Sequence, residues 1–142
     1  MNMRSMVLAV FVLGLLGTGI ELLFLGHTQG LNQLIPIVLM VMSLLVLGWH
    51  GLERKSASLR TFRITMVFLV AAGILGSALH YRANEEFELE ADPKMKGMDL
   101  VSKAMTGVAP ALAPGAMIQL GLLGLVYTFR HPALGHESKE ER

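Results

Sequence analysis

Residues 6–25 read MVLAVFVLGLLGTGIELLFL, twenty positions with a single charged side chain, Glu21. A helix of about 20 apolar residues crosses a hydrocarbon core of ~30 Å, so this stretch sets the expectation of a membrane protein. Working outward, residues 34–52, 64–81 and 112–129 are apolar in the same way. Charged residues make up only 16% of the 142 and hydrophobic ones 53%, whereas soluble domains average about 25% charged. Spanning segments must satisfy their own backbone polar groups, and no strand-like alternation of a barrel is present. The fold expected is an all-α integral membrane protein: one domain, 1–142, folded as a four-helix transmembrane bundle. The fourth span is interrupted by Gln119 and begins after Pro110, with Pro114 near its first turn, where a missing N–H costs little.

Arg4 and the apolar run behind it share two features with a secretory leader. The run continues through Glu21 to Leu25 with no small-residue cleavage pattern, which favours an uncleaved first span. Orientation follows from lysine and arginine. Arg4, Arg54, Lys55, Arg60, Arg63, Arg130, Lys139 and Arg142 fall on one side, and Arg82, Lys94, Lys96 and Lys103 on the other. Both termini are therefore expected in the cytoplasm, in a bacterial inner membrane given the short loops. A net charge of +1 with no aromatic–basic pattern argues against nucleic acid.

Glu21 has a counterpart. Arg4 to Glu21 is 17 residues, and so is Arg63 to His80. Sliding the chain by 59 aligns Gly14–Glu21 with Gly73–His80, and a slide of 78 brings Pro36 onto Pro114 and Trp49 onto Tyr127. Two duplicated helical hairpins are one reading; chance alignment of Gly- and Leu-rich spans is the other. Gly14, Gly17, Thr18 and Glu21 share one helical face, as do Gly73, Gly76, Ser77 and His80. Small residues let membrane helices approach closely. The expectation is that spans one and three pack along these stripes and bring Glu21 against His80. A carboxylate in hydrocarbon is costly enough to mark a functional candidate.

The longest connection, 82–111, starts with an acidic stretch, Ala83–Asp92, in which Phe87 and Leu89 alternate with glutamates. That alternation suggests a short extended segment, with a helix as the alternative. Asp99 can cap a short amphipathic helix over residues 100–105, suited to lie on the bilayer.

Without cysteine there is no disulfide or thiolate site, so any metal would need histidine or carboxylate ligands. Glu21, His80 and His27 are the divalent-metal candidates. His27 and His80 toward one face, and His50 and His131 toward the other, loosely resemble the paired histidines of di-haem cytochromes of the b561 type. That resemblance would imply haem ligation by these four. His27 lies six residues past Glu21, ~9 Å higher than His80 at 1.5 Å per residue, a poor geometry for two ligands on one iron, so no cofactor is expected. No phosphate loop, nucleophile elbow, H-E-x-x-H helix or catalytic triad is present. The leading expectation is a non-enzymatic accessory or scaffold protein that pairs with another membrane protein or with itself. Proton or divalent-cation transport through Glu21 and His80 comes second, and a haem- or quinone-linked redox role third.

Overall fold

A computed structural model describes residues 2–28, 30–109 and 111–134. Among these there are five α-helices and no strand: α1 (Met3–Phe24), α2 (Leu31–Glu53), α3 (Ser56–Ala91), α4 (Met98–Thr106) and α5 (Gly115–Thr128). Pro110, His136, Lys139 and Arg142, used in the sequence reading, lie outside the described residues. Three helices, α1, α2 and α3, are long and apolar enough to cross a membrane, which suggests a membrane protein. The 14-residue α5 spans only ~21 Å at 1.5 Å per residue.

Local chemistry sets the ends. The Asn2 side chain accepts the Ser5 N–H at 2.8 Å and caps α1. At the other end Gly26 takes φ +65°, the left-handed geometry that glycine adopts freely. The His27 N–H then reaches back to the Leu22 carbonyl at 2.9 Å and the Gly26 N–H to Leu23 at 3.1 Å. These are the two reverse bonds of a Schellman ending. α3 is the main departure from expectation. The acidic stretch continues the helix to Ala91 instead of forming an extended segment, because Ala, Glu and Leu are strong helix formers. Asp92, before Pro93, ends it with φ −139°. At 36 residues, α3 is ~54 Å long, well beyond the ~30 Å core.

α3 is the organising element. α5 and α2 pack along it, α4 folds back on its far end, and α1 rests on α5 and lightly on α2. The order around the cluster is α1, α5, α3, α2, so α1 and α3 stand diagonally opposite. The closest approach is α3 to α5. A Cβ on Gly121 would lie 2.8 Å from the Met66 carbonyl oxygen, and one on Gly73 would lie 2.9 Å from the Ile118 nitrogen. Between the helices Phe11, Phe62 and Tyr127 stack edge-on, with centroids 5.5 and 6.0 Å apart. Outside, Leu13, Val38, Val67, Phe68 and Val126 are all more than half exposed, a surface suited to lipid rather than water.

α4 differs in detail from expectation. Its N-cap is Gly97, with no side-chain bond, and Asp99 sits inside the first turn. Ala104 is buried, and Lys103 bridges Glu88 of α3 at 3.4 Å. The buried Asn84 holds this region down. Its amide donates to the carbonyls of Ala104 (2.8 Å) and Ala109 (2.7 Å).

Candidate functional site

Two polar loci lie at opposite ends of the helices, and neither is the expected Glu21–His80 pair. The stripe that α1 turns inward comprises the buried Phe11 and Leu15 and the half-buried Thr18 and Leu22. At 100° per residue, Glu21 lies roughly 90° round from that stripe. It is exposed, one turn from the end of α1. Gly14 does pack, since its Cβ would meet Leu120 of α5 at 2.8 Å, but nothing lies within 4 Å of Gly17. The expectation that Glu21 is buried is therefore corrected. So is the expectation that α1 meets α3 along matched glycines: the two helices touch through Phe11 and Phe62, while Gly14 faces Leu120 and Gly73 and Gly76 face Ile118 and Pro114 at the start of α5. On α3 the predicted face is the packing face. Gly73 and Gly76 take Ile118 and Pro114 against them. The Ser77 hydroxyl is buried without a hydrogen-bond partner among the described residues.

His80 is half-buried and opens into a cleft of about 360 Å³ between α2, α3 and the start of α5. His27, Asn32 and Gln33 share this cleft with His80, above an apolar floor that includes Leu75 and Met117. The turn at Gly26 directs the chain back and so brings His27 to the cleft; extrapolating α1 as a straight helix misses this. Pro36 also lines the cleft and has no N–H to offer the Asn32 carbonyl one turn earlier. Glu21 is not part of the lining. Among the described residues no three histidine or acidic side chains gather as a metal site requires, so Glu21, His80 and His27 do not form the ligand set considered above.

The second locus is at the other end. His50 is buried, and its Nδ1 lies 2.9 Å from the Ser58 hydroxyl oxygen. Ser58 donates its own proton to the Lys55 carbonyl at 2.8 Å, so its oxygen is the acceptor and His50 carries hydrogen on Nδ1. His131 Nδ1 instead accepts the Ala133 N–H at 3.2 Å, which leaves its ring proton on Nε2. The two imidazoles meet edge to face at 5.5 Å, and Tyr127 lies 5.5 Å from His131. Arg4 crosses from α1 to donate to the carbonyls of Phe129 and Arg130, both at 3.2 Å, where α5 ends and its dipole is negative. Burial first, then the positive charges of Arg4 and His50, lowers the His131 pKa from its ordinary 6.5.

No protein-family model, curated protein or solved structure matches the chain.

The sequence sets His50 and His131 toward the same face but does not show their direct contact. The slide of 78 pairs His50 with Thr128 and leaves His131 three residues further along, so it does not signal the contact.

Proposed function

We propose that this chain is a small non-enzymatic scaffold or accessory protein of a bacterial inner membrane. In this reading it is a four-helix bundle with α5 as the fourth crossing, and the outer faces of α1 and α2 pair with another membrane protein or a second copy. One observation carries the reading. Glycine in a helix costs about 1 kcal/mol relative to alanine, and Gly14, Gly73, Gly121 and Gly124 offset that cost by seating a neighbouring side chain. Gly17 of α1 and Gly48 and Gly51 of α2 have nothing within 4 Å. Such open small positions suit the close approach of a further helix, and Glu21, on the outer part of α1, adds a polar group for it. Arg4, Arg54, Arg63 and Arg130 gather around the pockets of one end, which supports placing that end, with both termini, in the cytoplasm. Proton or cation traffic through Glu21 and His80 is the weaker reading, since only His80 reaches the cleft.

The chain has no cysteine, so a single introduced thiol can carry a photo-crosslinker in native membranes. Leu13→Cys on α1 is expected to give a discrete adduct, and Phe68→Cys on α3 none. Absence of any adduct from Leu13→Cys and from Leu45→Cys on α2 would remove the basis for a pairing role.

A further inference from the structure

A groove of about 760 Å³ runs along the end of α5 toward α3, at the arginine-bearing end of the molecule. Its floor is apolar: Leu122, Leu125, Val126 and Phe129 line it, with Leu134 just beyond. Leu122 and Val126 are one turn apart on α5 and are 51% and 58% exposed, and Phe129 is 67% exposed. The rim carries Arg63 from α3 and Arg130 from the chain after α5, both exposed.

The two rim arginines differ from Arg4 and Lys55 of the same end. Arg4 is engaged on the Phe129 and Arg130 carbonyls just past α5, and Lys55 pairs with Glu53 at 3.2 Å. Among the described residues neither Arg63 nor Arg130 has a carboxylate partner. Arg130 has only the Phe129 ring, 5.3 Å from its guanidinium carbon to the centroid. Two unneutralised guanidinium groups above a lipid-facing apolar trough match an amphiphile with an anionic head and a hydrocarbon tail. Guanidinium presents a planar fork of donors suited to phosphate oxygens, and basic pockets between membrane helices recognise anionic lipid headgroups.

We propose that this groove is a binding site for an anionic phospholipid. The phosphate sits between Arg63 and Arg130, and an acyl chain lies along Leu122, Val126 and Phe129. The site depends on the membrane reading of the chain and not on the pairing role above.

The test is a native mass-spectrometry titration of the full chain in a non-ionic detergent, comparing phosphatidylglycerol with phosphatidylcholine of the same acyl chains. Two surface arginines should favour the anionic lipid roughly thirtyfold. In the Arg63→Gln/Arg130→Gln double variant that ratio should fall to near one, with the thermal melting point unchanged because both side chains are exposed. The Arg82→Gln variant, at the opposite end, should keep the preference. Equal binding of the two lipids by the parent chain would overturn the site, as would a preference that survives in the double variant. A preference that emerges only after deletion of residues 135–142 would also overturn it, by assigning the groove to the chain's own acidic tail.

Discussion

His50 and Ser58 are joined by a 2.9 Å hydrogen bond across the short turn between α2 and α3, with both side chains buried. Ser58 relays that bond to the Lys55 carbonyl, so one hydroxyl ties the second helix to the first turn of the third. Ser58→Ala would leave the His50 Nδ1–H buried and unanswered. It is expected to lower stability by about 1–3 kcal/mol, read as a loss in detergent-denaturant midpoint. An unchanged midpoint would mean that the histidine finds another acceptor.

His131 gives the protein a pH response. A histidine with a depressed pKa binds its proton more weakly in the fold than in the unfolded chain. Its contribution is therefore complete above the unfolded value of 6.5 and is lost as the pH falls through that value toward the lowered one. Melting points taken at about pH 7.5 and 5.5 should fall for the parent and fall less for His131→Asn, whose amide oxygen still accepts the Ala133 N–H. Equal slopes would remove His131 as a source of the pH dependence.

Glycine substitutions should divide by location. At Gly121 an added methyl would meet backbone atoms, 2.8 Å from the Met66 oxygen and 3.0 Å from the Val70 nitrogen. The neighbouring helix would have to move, so Gly121→Ala should cost about 1–3 kcal/mol. Gly17→Ala has open space and should be neutral or mildly stabilising in the isolated chain. Comparable losses at both sites would contradict the α3–α5 contact.

Asn84 fastens the outer connection. Asn84→Asp replaces two donors with acceptors that face the carbonyls of Ala104 and Ala109. Limited proteolysis should then cut within residues 93–109 while α1, α2 and the inner part of α3 stay intact. Resistance equal to the parent's would show that α4 is held by its other contacts, chiefly the Lys103–Glu88 bridge.

Glu21→Ala and His80→Ala are expected to be additive to within ~0.5 kcal/mol, because the two residues occupy different surroundings. A coupling energy above 1 kcal/mol would restore the direct contact expected from the sequence.

The apolar runs of α1, α2 and α3 were legible from hydropathy, since their lengths match a bilayer. The inward face of α1 was not. In a soluble helix, polarity separates core from surface; here Phe11 and Leu15 point inward while Leu13 and Leu16 point outward, and all four are equally apolar. Small residues were the remaining guide. They pointed correctly on α3, where Gly73 packs, and wrongly on α1, where Gly17 is open. Periodicity over five residues also misjudged the stretch around Phe87 and Leu89, because helix propensity and the continuity of α3 outweighed the alternation. His27 was misplaced through extrapolation across a left-handed glycine.

α3 touches every other helix and outlasts them all, and this gives the molecule a mechanical axis. A rigid rod of ~54 Å tilted by about 5° about one end displaces the other by roughly 5 Å. A displacement of the acidic tip near Glu90 is therefore carried, through unbroken helix, to the Ser58–His50 tie at the other end of α3.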